Sequence, residues 1–361
     1  MSQVVEPIEG PVGTAPPEGP RFAAPRLARH QIRLDDGHLV GVTIAGRGIP
    51  LVVVHGFSAE GFLYAQTLSR LVAMGFKVIA IDTAGHGNTQ GLPADGQNLA
   101  AYSDLLGRVI DELGIKQCIL AGHSMGGRLV TQLAAERPDR TIAVILIDAI
   151  VGDTWDKMVY LFRVAPPLLG LVGGALMVDT MTVIPLFRDP RQAVKLLRLL
   201  APTIADRVVR PWRLAGPMVS ILRSRSSRYA LNELADQHVP VIALHGARDI
   251  AVPIRTARET VDRTDGTLVV VAGAGHSWIL RDPEALPAIV SQLMDGPLGD
   301  ACTDALRRAG VKRATPSRAD IERACYSPGS RAMSLTPLGE DTVGTGRHRR
   351  PRHTWTVETL A

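Results

Sequence analysis

From about Arg29 the chain alternates short, almost wholly apolar runs with longer stretches of helical periodicity. The apolar runs are Pro50–Val54, Lys77–Ile81, Cys118–Ala121, Ile142–Ile147, Pro240–Leu244 and Thr267–Val271. They are rich in β-branched residues and lack in–out alternation, as expected of strands covered on both faces of a parallel sheet. Between them, Gly61–Met74, Leu99–Leu113, Gly126–Arg137 and Pro283–Met294 repeat Leu, Val, Ala and Met at helical spacing. Ahead of the first run, Gln31–Leu34 and His38–Ala45 flank Asp35-Asp36-Gly37, a hairpin signal. The rhythm predicts an α/β fold: a mostly parallel central sheet flanked by helices.

Two interruptions divide the chain. Residues 1–26 are rich in Pro and Gly, carry no apolar period and read as a disordered N-terminal arm. Between 151 and 237 the strand-like runs stop and Met, Leu, Pro and Arg take over. This predicts a helical cap inserted between a first part of the core, 27–150, and a second part, 238–296. Beyond Gly296 the chain turns polar and Arg-rich, predicting a basic, largely disordered tail over 297–361 in which Asp300–Arg313 and Ser317–Tyr326 have helical spacing. Neither arm holds a candidate catalytic residue, so a chain of residues 27–297 is expected to fold and keep activity.

Composition narrows the function classes. With 46% hydrophobic and 21% charged residues, wholesale disorder is excluded. The net charge is +5, but residues from Pro297 onward contribute 11 Lys/Arg against 7 Asp/Glu. The rest of the chain is close to neutral overall, so a nucleic-acid partner is not expected. The basic run Arg347–His353 is a candidate for weak contact with an anionic membrane surface. Val164–Phe187 carries a single charge, Asp179, but Pro and Gly interrupt it and a span needs about 20 apolar residues. Three scattered cysteines and no signal-peptide pattern at the start point to a cytoplasmic setting.

The candidate chemistry lies where apolar runs end. Gly122-His123-Ser124-Met125-Gly126-Gly127 is a G-x-S-x-G that follows Cys118–Ala121 and opens the helical stretch Gly126–Arg137. A serine on such a strand–turn–helix is pushed out over the sheet. Its hydroxyl needs a general base, itself oriented by an acid. Asp249 follows the run Pro240–Leu244, and His276 follows Thr267–Val271, giving the order Ser…Asp…His. All three stand at carboxyl ends of predicted parallel strands, where open α/β sheets place their sites. Asp148, ending the run Ile142–Ile147, is the rival acid. A tetrahedral oxyanion needs backbone N–H donors, for which Met125 and Phe57 are the candidates. No H-E-x-x-H is present, and no G-x-G-x-x-G opens a helix after a strand, so neither a metal nor a nucleotide cofactor is expected.

Taken together, His55-Gly56, Asp82-x-x-Gly85-x-Gly87, Gly122–Gly127, His245-Gly246-x-x-Asp249-x-x-Val252-Pro253 and Gly275-His276 resemble the α/β-hydrolase family. More narrowly they resemble its capped serine hydrolases, the bacterial esterase and lipase-like branch. The resemblance runs from about Arg29 to Met294. It implies cofactor-free hydrolysis of a small-molecule ester by Ser124, His276 and Asp249, or related thioester, lactone, carbon–carbon or perhydrolysis chemistry. A ligand-binding protein on the same scaffold is the alternative of another class. Relatives that cleave carbon–carbon bonds often carry Asn before the nucleophile, where this chain has His123. Dehalogenases and epoxide hydrolases use Asp where this chain has Ser124. The apolar residues between Trp155 and Phe187 are expected to roof the serine with an apolar pocket.

Overall fold

The computed structural model describes residues 3–4, 27–57, 59–182, 190–336 and 350–359. All of the predicted apolar runs become strands of one sheet. In chain order the described strands are β1 (Gln3–Val4), β2 (Ala28–Arg33), β3 (Leu39–Ala45), β4 (Ile49–Val54), β5 (Phe76–Ile81), β6 (Cys118–His123), β7 (Thr141–Ile147), β8 (Val241–Gly246), β9 (Thr267–Val271) and β10 (Trp355–Thr359). Their spatial order is β1-β10-β9-β8-β7-β6-β4-β5-β3-β2. The six central strands, β9 to β5, run parallel, while β2, β3, β10 and β1 extend the two edges antiparallel. The predicted hairpin is β2–β3, with Ile32 opposite Val40 and its turn closed by Gly37. The arm expected over 1–26 lies outside the described residues apart from Gln3–Val4.

Helices cover both faces. One apolar cluster joins α2 (Leu99–Glu112), α3 (Met125–Glu136) and α8 (Arg228–Asp236) to one side of the sheet. The other cluster brings α1 (Ala65–Ala73), α10 (Trp278–Arg281), α11 (Ala285–Met294) and α12 (Pro297–Arg308) to the opposite side. Leu105, Leu106, Val109 and Ile110 on α2, with Leu113 just beyond its end, are buried at spacings of three and four, the stripe a helix needs to lie on a sheet. This is the α/β-hydrolase architecture.

Between β7 and β8 the chain forms α4 (Asp153–Val164), α5 (Pro166–Thr182), α6 (Pro190–Val209), α7 (Ala215–Leu222) and then α8. Not all of this insertion stands over the sheet edge. Ala230, Leu231 and Leu234 of α8 are buried in the main core and pack against α3 and α9 (Arg255–Thr264). Among the described residues no helix is long and apolar enough to cross a membrane.

The chain after Gly296 departs from the expected tail. In α12 Leu298, Ala301, Cys302, Ala305 and Leu306 are buried. Next, α13 (Arg318–Cys325) and α14 (Arg331–Ser334) close over the far ends of the strands. Tyr326 donates its hydroxyl to the Gly48 carbonyl at 2.7 Å, and the Ser330 hydroxyl donates to the Leu113 carbonyl at 2.6 Å. Buried Lys77 reaches the Gly46 carbonyl at 3.2 Å and also the Thr336 hydroxyl. Asp282 holds the backbone N–H groups of Arg352 and His353 at 2.6 and 3.0 Å, leading the chain into β10. Average composition hid this, because the Arg residues occupy the outer faces of helices whose inner stripes are short and made of small apolar residues. Of the basic run Arg347–His353, the structure describes only residues from Arg350 on.

A chain ending at Gly296 is therefore expected to fold poorly. Each fully buried side chain of Leu size contributes about 1.5–3 kcal/mol. Loss of α12–α14 and β10 should lower the thermal midpoint by about 10 °C or more, measured by circular dichroism against the full chain. An unchanged midpoint would show that these segments add no stability.

Candidate active site

Ser124 sits between β6 and α3 with φ +53° and ψ −117°, a strained conformation for a residue with a side chain. Three backbone bonds impose it: Ser124 N–H donates to Ile147 C=O at 2.9 Å, and Gly127 and Ile150 N–H donate to Ser124 C=O at 3.0 and 3.2 Å. The helix then passes so close to β4 that a Cβ on Gly126 would lie 2.2 Å from the Val54 carbonyl oxygen. That close approach explains a glycine two residues after the serine.

His276 Nδ1–H donates to Asp249 Oδ2 at 2.7 Å, and the other carboxylate oxygen accepts from Ala251 and Val252 N–H, both at 2.8 Å. Burial alone would raise the pKa of Asp249. The neighbouring His276, its hydrogen bond and the Val252 N–H outweigh that, and the net shift is downward. The structure thus brings Asp249 and His276 into direct contact. It makes no hydrogen bond between the Ser124 hydroxyl and His276, although the two are linked through His123.

The ring of His123 accepts the Tyr64 hydroxyl at Nδ1 (2.9 Å) and donates from Nε2 to the backbone carbonyl of His276 (3.0 Å). Because a carbonyl only accepts, the tautomer is settled. Burial, with the nearby His276 adding to it, pulls His123 down to about 3, so the ring is neutral. The residue before the serine therefore tethers the loop that carries the histidine. His55 behaves alike in the loop after β4: its Nε2 accepts Thr83 N–H at 2.9 Å, and its Nδ1 donates to Gly56 C=O at 2.8 Å. A Cβ on Gly56 would lie 3.1 Å from the Ser124 Cβ, which brings the loop carrying Phe57 up to the serine. Met125, the other candidate oxyanion donor, is the first residue of α3, where backbone N–H groups lack helical partners.

Asp148, the rival acid, is fully buried with φ +45°. It accepts Gly246 N–H at 2.8 Å and the Trp278 indole N–H at 2.6 Å. Burial, and then the Asp249 carboxylate beside it, push its pKa well above the ordinary carboxylate range. Asp148, His245 and Asp249 have ligand-type atoms within 4.8 Å of one another, a spacing that suits a cation. Their atoms are already engaged, though: both Asp148 oxygens take N–H donors, and His245 Nε2–H donates to Val252 C=O at 2.9 Å. The donor set fits a hydrogen-bond network better than a metal.

The cap reaches this site directly. Asp179 of α5 accepts the Ser277 N–H at 2.7 Å, and the Thr180 and Ser277 hydroxyls lie 3.1 Å apart. On the same helix Leu169, Val172 and Leu176 are half-buried against the cluster that also takes Phe57. Ser124 and His276 are only 7% and 2% exposed. Sequence reading passed over Tyr64, Trp278, Asp179 and Thr180, whose partners are distant along the chain.

The family described as serine aminopeptidase, S33, matches residues 49–284. A candidate non-heme haloperoxidase of Mycobacterium phage D29 is 34% identical over 277 residues, covering 74% of this chain and 96% of the phage protein. The monoacylglycerol lipase of Mycolicibacterium smegmatis is 26% identical over 249 residues, covering 66% and 84%. Among solved structures, a carboxylesterase from Nitrososphaera gargenis aligns with a TM-score of 0.57 at 20% identity, covering 76% of this chain and all of that one. An esterase from Exiguobacterium antarcticum gives a TM-score of 0.56 at 21% identity, covering 74% and 99%. At such identities the structural matches speak for the fold.

The two neighbouring acids yield a pH test with a definite sign. The folded pKa of Asp148 is raised above its unfolded value of about 3.9. Unfolding then releases its proton, a cost to stability that is absent below that value and grows as pH rises above it. Asp148→Asn removes the titration, so the thermal midpoint of the variant minus that of wild type should increase from about pH 4 to about pH 8. A difference that stays flat or decreases would mean that Asp148 is ionised in the fold.

Proposed function

Since the chain belongs to the serine aminopeptidase S33 family of α/β-hydrolases, we propose that it hydrolyses carboxylic esters of small to medium apolar acids through an acyl-enzyme on Ser124. The observation that carries this reading is the 2.7 Å hydrogen bond from His276 to the buried Asp249 carboxylate, on a loop that His123 ties to the serine elbow. In the first step Ser124 Oγ attacks the ester carbonyl while His276 Nε2 takes its proton. Asp249 holds the imidazole with Nδ1 protonated and stabilises the imidazolium that forms. The oxyanion is received by the N–H groups of Met125 and Phe57. His276 then protonates the departing alcohol. A water molecule, deprotonated by the same histidine, releases the acid and restores Ser124.

The roof supports an apolar acyl group. Leu169, Val172 and Leu176 recur at helical spacing on the inner side of α5, next to Phe57. With the serine and histidine so little exposed, α5 has to lift for substrate to enter, and its Asp179–Ser277 contact is the one to break.

A second reading is perhydrolysis, favoured by the likeness to the phage protein named as a haloperoxidase. Here hydrogen peroxide replaces water on the acyl-enzyme. Its oxygen bonds the acyl carbon, Ser124 Oγ leaves and recovers its proton from His276, and a peracid is released. The same three residues serve both reactions, so the products tell them apart.

A fluorophosphonate probe is expected to label wild type and not Ser124→Ala. Ser124→Ala and His276→Ala should each lower kcat by roughly 10⁴–10⁶-fold, with little further loss in the double variant. Asp249→Asn should lose about 10⁴-fold, and Asp148→Asn about tenfold or less; the reverse ranking would move the acid to Asp148. Over p-nitrophenyl esters of rising chain length, kcat/KM should climb about 3–4-fold per added carbon until the pocket is full. A steady fall from the acetyl ester onward would remove the apolar roof from the account. Peracid formed from acetate and hydrogen peroxide, at a rate exceeding ester hydrolysis, would favour the second reading.

A further inference from the structure

Large apolar side chains left in solvent are unevenly placed on this molecule. Apart from Ile250, beside Asp249, all those exposed among the described residues lie between Tyr160 and Tyr229, in the insertion. On α6 the exposed residues Val194, Leu197, Ala201, Ile204 and Val208 follow one another at steps of three, four, three and four. At 100° per residue they fall within an arc of about 80°, so they form one stripe along four turns of helix. Ala193 and Leu200, on a neighbouring sector, anchor the same helix to the protein. On α5, Leu168, Leu171 and Val178 make a second outward stripe, next to the half-buried Leu169, Val172 and Leu176. Val208 is 75% exposed, Leu171 69% and Trp212 66%, the last just beyond α6. Apolar stripes left in solvent on neighbouring elements of the chain are the kind of surface that interaction sites present.

Charge indicates what binds there. Residues 151–237 hold twelve Lys/Arg against seven Asp/Glu. Residues 1–150 and 238–296 together hold 17 Lys/Arg against 21 Asp/Glu. The apolar stripes therefore sit in a cationic cap mounted on an anionic body. Lys157, Arg198, Arg210, Arg223 and Arg225 are exposed in the same insertion, Arg210 with Asp206 3.6 Å away. Arg163 is engaged by the carbonyls of Leu222 and Ser224, so its charge is not cancelled by a carboxylate in that contact. A second copy of this chain would bring the same cationic surface against itself, which disfavours pairing. An anionic lipid surface meets both requirements: its acyl region takes the apolar stripes and its headgroups take the basic residues.

We propose that the outer face of α5 and α6, with Trp212, is a docking surface for an anionic lipid bilayer. The protein lies on the surface without spanning it. This moves the anionic-surface contact from the run Arg347–His353, where Asp282 fixes the backbone of Arg352 and His353, to the cap. The proposal does not depend on which bond the enzyme cleaves.

The test is co-sedimentation of the full chain with large unilamellar vesicles of phosphatidylcholine, alone or mixed with phosphatidylglycerol. Wild type should partition to the mixed vesicles at least about tenfold more strongly than to phosphatidylcholine alone, and lose most of that preference at about 0.5 M salt. Leu197→Asp/Val208→Asp should weaken binding to the mixed vesicles at least about tenfold. Arg198→Glu/Arg225→Glu should weaken it about fivefold or more for each reversal. Circular dichroism and turnover of a short water-soluble ester, both unchanged, show that the variants are folded. Absence of vesicle binding by wild type, or binding that both variants retain, would overturn the proposal. So would a wild-type dimer in size-exclusion light scattering that Leu197→Asp/Val208→Asp converts to monomer without vesicle binding, since a second copy would then be the occupant.

Discussion

Two carboxyl groups buried side by side at the carboxyl edge of the sheet cannot both carry charge, and the loops around them are arranged to divide the roles. Asp249 receives an imidazole N–H and two backbone N–H groups, enough to keep a buried charge. Asp148 receives one backbone N–H and one indole N–H, and stands beside the Asp249 charge that pushes its own proton affinity up. The same two donors make Asp148 a brace. Through Gly246 it holds the end of β8, and through Trp278 it holds the segment following His276. Both bonds bear on the loop on which the histidine rides.

The serine elbow is fixed from the opposite direction, by crowding. Its backbone is strained, and the strain is held by bonds to β7 and the loop after it rather than by its own side chain. Among the described residues no hydrogen bond holds the hydroxyl away from an incoming carbonyl. His123 and His55, both neutral and each with a tautomer set by its partners, join the elbow to the loops after β9, β4 and β5. Histidine suits these places because one ring supplies a donor and an acceptor on opposite sides.

The cap has different physics from the body it covers. The core buries continuous apolar strands on both faces. By contrast, α5 and α6 keep one apolar side for the protein and present another to solvent. The inner side of α5 packs on the core through Leu169, Val172 and Leu176 and meets the candidate site through Asp179. The outer sides, with their surrounding Arg and Lys, bear on what the protein meets. Under the two proposals, one pair of helices links the lipid-docking surface to access to Ser124.

The order of the strands' apolar runs, the flanking helices and the residues at the strand ends were all legible from the chain. Each is local: a buried strand needs a short β-branched run, and a serine elbow needs glycines within two residues. Ser124, Asp249 and His276 stood out as candidates because each follows a strand at a short distance. Tyr64, Trp278 and Asp179 were not, because each meets its partner 59 to 130 residues away along the chain. The helices and strand after Gly296 were missed for a related reason. Their apolar stripes are too short to stand out by themselves, and they acquire meaning from the strand ends and sheet edge they cover. Periodicity and turn chemistry, being properties of neighbouring residues, determined the sheet, its helices and the candidate triad. Only the tertiary structure decided which buried acid meets the histidine, where the cap touches the site and which apolar residues remain uncovered, because those depend on surfaces that exist only once distant segments have packed.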